Sequence, residues 1–202
     1  MYLELHILRR TIMSAPSDSN ITVHMTCSLD GYIADVSGGT SWMNHESSYP
    51  DGISLSQEYI TQVLERIDCY VMGSKTYEKA LELGWAYSDT PVIVMTSQIR
   101  SDHRPSVSFF DGELADLIHD ISKQEYRSIW VVGGSSVVRE FLLSGFVDEI
   151  VITFLPIIIG GGIPFFENLK KEIRLDLSNV EVFDNGMVEI TYQIIKTSHG
   201  MG

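Results

Sequence analysis

The stretch Ser128–Gly145, SIWVVGGSSVVREFLLSG, decides the architecture. Ile129-Trp130-Val131-Val132 is an apolar, largely β-branched run of the kind that forms a buried strand. Gly133-Gly134 and Ser135-Ser136 follow, and then Val137, Val138, Phe141 and Leu142 recur at helical spacing up to Gly145. The pattern is strand, tight glycine turn, helix. Adjacent glycines carry no Cβ, so the backbone can come close to a ligand. The first N–H groups of the helix are unpaired and lie at the positive end of its dipole, which suits a diphosphate. A plain βα connection accounts for the same residues. The third glycine of G-x-G-x-x-G is missing, so the Rossmann fingerprint is not matched.

Outward from this unit the alternation continues. Cys69–Gly73 reads as a second buried strand, followed by Ser74-Lys75-Thr76 and a short helix through Leu83. Val92–Met95 and Val107–Phe110 are further strands, and Leu114, Leu117, Ile118 and Ile121 place a helix over 113–122. Near the start, residues 21–27 alternate as strand one. The long segment 36–51, with Gly38-Gly39 and Trp42, is a candidate lid. Leu55, Tyr59, Ile60, Val63, Leu64 and Ile67 predict a helix over 54–66, capped at Ser54 or Ser56. Residues 148–156 form a long strand, and 157–166 is an apolar, glycine-rich connection. Residues 174–183 and 187–195 alternate around Asp184-Asn185-Gly186, a strong hairpin signal. The expected fold class is therefore α/β: a mixed, mainly parallel central sheet flanked by helices, closed by an antiparallel C-terminal hairpin. Residues 1–20 read as an arm outside the domain, with Met13 as an alternative start; 21–196 form one domain and 197–202 a tail.

Composition narrows the function classes. Fourteen Lys and Arg against 27 Asp and Glu leave a net charge of −13, which argues against a nucleic-acid partner but not against an anionic cofactor held by local donors. Cys27 and Cys69 lie in apolar runs and read as reduced core thiols of a cytoplasmic protein. No apolar run approaches the roughly 20 residues of a transmembrane helix. The six histidines show no metal-ligand spacing, so no metal is expected.

Five stretches in order carry a resemblance: CSLDGYIAD (27–35), VMGSKTYE (71–78), VMTSQ (94–98), VVGGSSVVREFL (131–142) and DEIVITFLPIIIGGGIPFF (148–166). Together they resemble the dihydrofolate-reductase-like fold, in particular the reductase domain of bacterial riboflavin-synthesis deaminase-reductases. The resemblance covers residues 21–196 and implies NADPH across the strand ends and a homodimer. On this reading Gly73, Ser74, Lys75 and Thr76 match one phosphate-binding junction. Val132, Gly133, Gly134, Ser135, Ser136 and Val137 match the other. Thr96, Ser97 and Gln98 match the adenosine end, and Ile33 and Ala34 match the segment that meets the nicotinamide. The family pattern has arginine after the first glycine, able to pair a 2′-phosphate bidentately. Here Ser74 stands there, and Lys75 or Arg100 is left to supply the charge.

For chemistry, the resemblance implies a carboxylate early in the first long helix that binds substrate and assists protonation. Glu58 fits best, with Gln57 at the neighbouring position and Asp51 and Glu46 as alternates. Thr153 matches a threonine facing the substrate. Trp42 is a candidate cover, and Phe154, Pro156 and Phe165 candidate walls. His24 reads as an ordinary strand residue. The expectation is an NADPH-dependent reductase of a pterin- or pyrimidine-like heterocycle. Reduction of 5-amino-6-(5-phosphoribosylamino)uracil is one alternative, although the zinc signature of a partner deaminase is missing. A non-catalytic dinucleotide sensor is another. The apolar stretch 154–166 offers a dimer face.

Overall fold

A computed structural model of the chain describes residues 19–44, 46–98 and 101–196. The expected arm (but for its last two residues), Arg100 and the tail lie outside them. The chain runs β1 (Asn20–Ser28), β2 (Tyr32–Ala34), α1 (Gln57–Leu64), β3 (Cys69–Gly73), α2 (Ser74–Leu83), β4 (Val92–Met95) and β5 (Val107–Phe110). It continues with α3 (Leu114–Lys123), β6 (Ser128–Gly133), α4 (Ser135–Ser144), β7 (Glu149–Leu155), β8 (Ile163–Pro164), β9 (Leu175–Val182) and β10 (Val188–Ile194). Eight strands form one sheet in the order β5-β4-β3-β6-β1-β7-β10-β9. β5 to β7 are parallel, and β10 turns antiparallel against β7 and β9. The α/β expectation is met, hairpin included.

Local chemistry sets the boundaries. Ser56 caps α1 by accepting from the Tyr59 N–H at 3.2 Å. Gly145 ends α4 in the left-handed conformation, at φ +78°. The connection 157–166 holds one unexpected short strand, β8, which pairs antiparallel with β2. Gly162 crosses so close to the Ala34 carbonyl that a Cβ there would strike it.

The two faces of the sheet bury different sets. Val23, Val71, Val131 and Ile150 pack under α3 and α4, around Leu117, Ile121 and Phe141. Phe141 is fully buried, and truncating it to Ala would cost about 3–5 kcal/mol. On the other face Tyr70, Met72, Val92 and Val94 meet Tyr77 of α2 and the rings of Trp85, Tyr87, Phe109 and Trp130. The β9–β10 hairpin is sorted more sharply still. Val182/Val188, Val180/Ile190, Leu177/Tyr192 and Leu175/Ile194 pair on one face, and Glu181/Glu189, Asn179/Thr191 and Asp176/Gln193 on the other. Leu177 is 60% exposed and Val180 48%, so part of the apolar face is uncovered by the described residues.

Candidate functional site

A cleft of ≈ 930 Å³ opens on the α2 side of the sheet. Its first half is built at the neighbouring strands β3 and β6. Each feeds a helix whose N-cap is a glycine, Gly73 or Gly134, with no side chain capping the first turn. The two starts abut. A Cβ on Gly73 would lie 3.1 Å from Val137 Cγ2, and one on Gly134 would lie 3.6 Å from Thr76 Oγ1. Gly133 sits at φ +122°, where L side chains are strained, and a Cβ there would meet Met25 at 2.7 Å. Two sets of first-turn N–H groups are thus brought together at the positive ends of two helices.

Most sequence-predicted cofactor residues line this cleft. Gly73, Ser74, Lys75 and Thr76 do so from α2, and Val132, Gly134, Ser135, Ser136 and Val137 from β6 and α4. Ile33 and Ala34 line it from β2. Ser135 donates to the Pro164 carbonyl, tying α4 to β8. A smaller pocket of ≈ 270 Å³ adjoins, sharing Met95, Ser136 and Val137 and lined also by Thr96, Ser97, Asp111 and Glu140. Gly133 and Gln98 line neither. Gly133 is buried in the turn, and the Gln98 N–H donates to Thr96 Oγ1 at 3.2 Å.

The second half lies across β1, β7 and β10. Thr153 is buried and lines the cleft, and its hydroxyl donates to Glu189 Oε2 at 2.7 Å. His24 Nε2 lies 3.1 Å from Thr153 Oγ1 and 3.2 Å from Glu189 Oε2. The His24 ring stacks on Trp130, centroids 4.5 Å apart and planes 11° from parallel. Trp130 Nε1 donates in turn to the His24 carbonyl at 2.8 Å. Burial pushes the Glu189 carboxyl up, but the hydrogen bond and charge of His24 and the bond from Thr153 outweigh it, so the group is held below the usual glutamate range. Tyr59 and Phe183 stand nearby in an edge-on contact at 5.8 Å.

Several expectations need correction. Glu58 is exposed, lines no part of the cleft, and has only a 3.5 Å contact from Gln62 one helical turn on. The reason is the helix phase: Tyr59, Ile60, Val63 and Leu64 turn toward the cleft, which sends 58 and 62 outward. Glu46 and Asp51 are also exposed. Phe165 is a core residue and Phe154 packs against the same core, so neither walls the cleft, nor does Pro156. Trp42 does not line it either; its loop contributes Ser37, Gly38, Thr40 and Met43 instead. His24 is more than a strand residue. It and Glu189 were missed because they meet Thr153 only through sheet pairing, 129 and 36 residues away. Parity gives no signal for them, because His24 falls with Thr22 and Thr26 and Glu189 with Thr191 and Gln193 on the polar side of each strand.

Among the described residues no group of His, Cys, Asp and Glu could hold a metal, and no helix is long and apolar enough to cross a membrane. Comparison with known proteins agrees with the fold. A model of the RibD C-terminal domain matches residues 19–189. The uncharacterized proteins YwjB and YyaP of Bacillus subtilis (strain 168) are similar to this chain. YwjB is 29% identical over 163 residues, which is 80% of this chain and 90% of YwjB. YyaP is 24% identical over 189 residues, 85% of this chain and 93% of YyaP. A solved Shewanella sp. PV-4 structure, named provisionally for riboflavin biosynthesis, superposes with a TM-score of 0.76 at 28% identity, covering 88% of this chain and 99% of its own. A Thermotoga maritima deaminase/5-amino-6-(5-phosphoribosylamino)uracil reductase gives 0.62 at 18% identity, over 88% of this chain and 57% of that one. With the sheet order, the glycine-lined cleft and the family match in agreement, the chain belongs to the RibD C-terminal domain family and has its dihydrofolate-reductase-like fold.

Proposed function

We propose that the protein is an NADPH-dependent reductase of a small, planar nitrogen heterocycle of the pterin or pyrimidine kind. The observation that carries this reading is the convergence of two glycine-capped helix starts in one half of a cleft whose other half holds a half-buried polar cluster. The residues fit the cofactor: a side chain at Gly73 would press on Val137, so the close approach of the two junctions depends on that glycine. First-turn N–H groups of α2 and α4 would hold the diphosphate. Ile33 and Ala34 would border the nicotinamide, and Thr96 and Ser97 would border the adenosine in the adjoining pocket. NADPH supplies the hydride when bound. The chain's own residues bind and orient the acceptor and shield it from water. Lys75, exposed at the α2 start, is the described cation best placed for a 2′-phosphate.

Among the described residues, the only Lys or Arg side chains lining the cleft are Lys75 and Lys79, both on α2. That speaks against a phosphoribosyl substrate, which would want cations beside β1, β7 and β10 as well. The His24–Thr153–Glu189 cluster speaks against a non-catalytic sensor. A homodimer is proposed through the apolar face of β9–β10 rather than through 154–166, because Phe165 of that stretch is already buried in its own core. Sedimentation showing monomer alone at micromolar concentration would remove it.

The test of function is a fluorescence titration with NADPH and, separately, NADH. Trp130 lines the cleft and would transfer energy to the reduced nicotinamide. Saturable binding, tighter for NADPH, is expected. If neither cofactor binds, the glycine junctions are plain βα turns and the reading fails.

A further inference from the structure

We propose that His24 is the proton donor of the cleft, giving the proton on its Nδ1 to the nitrogen of a ring C=N bond as that bond is reduced. The proposal rests on the reductase reading and names the acid which that reading leaves open. Reduction of a C=N bond adds a hydride to carbon and a proton to nitrogen, so an acid is needed beside the acceptor. The cleft holds few candidates. Glu189 is held below the usual glutamate range and is ionised at neutral pH, so it has no proton to give. Burial pushes the Tyr59 and Tyr87 hydroxyls up to about 12, and the Tyr59 hydroxyl already donates to Glu181 Oε2 at 2.7 Å. Lys75, Lys79, Glu78 and Glu82 stand on α2, in the glycine half, and Glu167 follows β8, which Ser135 ties to the start of α4. His24 is left, on β1 in the middle of the sheet.

The hydrogen bonds around the ring decide which nitrogen faces the cleft. The Thr153 hydroxyl donates its one proton to Glu189 Oε2 at 2.7 Å, so toward a third group its oxygen can only accept. His24 Nε2 lies 3.1 Å from that oxygen and 3.2 Å from Glu189 Oε2, both acceptors, and therefore keeps its hydrogen in either charge state. Nδ1 is the nitrogen that gains and loses a proton. Among the described residues no hydrogen bond reaches Nδ1, and the one buried side-chain nitrogen or oxygen without a partner is Trp42 Nε1. Nδ1 is thus open, and His24 opens onto the cleft. Only the doubly protonated ring can donate from Nδ1. The N–H bond breaks, its electron pair stays on the imidazole, and water later returns a proton. Among the described residues the elements around the ring bring one other charge, Glu189 of β10. β6 and β7 present Trp130 and Thr153, and α1 presents the un-ionised Tyr59. Glu189 faces the positive form of the imidazole, and the stack on Trp130 fixes the plane in which Nδ1 points.

The test joins nitrogen NMR of the full chain, with isotope-labelled histidine and no cofactor, to the pH dependence of turnover with NADPH and 7,8-dihydrobiopterin. Above its titration His24 should keep its proton on Nε2 and show the shift of a bare Nδ1; below it, both nitrogens should be protonated. The wild-type kcat should fall as pH rises through that same midpoint. His24→Gln should lower kcat by about a hundredfold to ten-thousandfold and flatten the profile there, with NADPH affinity unchanged. Four results would overturn the proposal: a neutral His24 with its proton on Nδ1, a wild-type kcat that ignores the His24 titration, a variant that keeps the wild-type profile, or NADPH bound and dihydrobiopterin not reduced. The first two are read on the wild type, so they decide even if the variant fails to fold. NADPH titration separates the claims. A wild type that does not bind NADPH sinks the reductase reading itself, whereas binding together with any of the four results sinks the donor role alone.

Discussion

The two halves of the cleft are made of different material. At β3 and β6 the site is backbone: glycine caps, helix N–H groups, and space where side chains would be. At β1, β7 and β10 it is side chain: an imidazole, a hydroxyl and a carboxylate locked in a triangle. The first half is suited to a ligand that is always the same, because backbone donors cannot vary with sequence. The second half carries whatever is particular to this chain. The difference teaches where to look for specificity in such a protein, namely on the strands and not at the glycines.

The comparison breaks most readily at Gly133. Gly133→Ala places a Cβ at φ +122° and against Met25, so the fold should lose about 2–4 kcal/mol, read by urea denaturation. NADPH binding to the folded fraction should fall while the Glu189 carboxyl titrates as in the wild type, read by carbon-detected NMR. A shifted Glu189 titration would mean that the halves are one unit. Next in size is Thr153→Val, which removes a donor from a half-buried carboxylate at a cost of about 1–3 kcal/mol. Here the cofactor titration should stay at the wild-type value, and carbon-detected NMR should show the Glu189 carboxyl titrating higher than in the parent.

How much of this was legible in the sequence follows the same division. The glycine half is local: Gly73-Ser74 and Gly133-Gly134-Ser135 each occupy a few consecutive residues, so turn chemistry alone points to them. Strand β4, helix α2 and the Asn185-Gly186 hairpin are legible for the same reason. The polar half is spread over three strands, and only their pairing register assembles it. Glu58 looked right because it opens a helix near the correct place. Which way it points depends on the phase of α1 against the sheet, and Tyr59 and Val63 set that phase by facing inward.

Two smaller measurements sharpen the contrast. Ser74→Arg adds a bidentate phosphate partner to the backbone half and should raise the preference for NADPH over NADH by about three- to tenfold, read by fluorescence titration with each cofactor. The least effect is in pH. The Glu189 carboxyl is lower in the folded chain than its ordinary 4.5, so the unfolded chain takes up its proton first as pH falls. Its contribution to stability is present above about 4.5 and is lost as pH drops through the lower folded value. Wild type and Glu189→Gln, compared in thermal melts from pH 6 to pH 3, should therefore converge at the acid end. Parallel curves would show that His24 and Thr153 do not hold the carboxylate ionised.

The strand order also has a consequence for biosynthesis. β1 is translated first but lies between β6 and β7, so its nearest partners leave the ribosome only after residue 128. Both glycine junctions can then form on a nascent chain that still lacks β10. Glu189 arrives on the last strand of the sheet. A translation product ending before it would lack the carboxylate and would leave β7 as an open edge of the sheet.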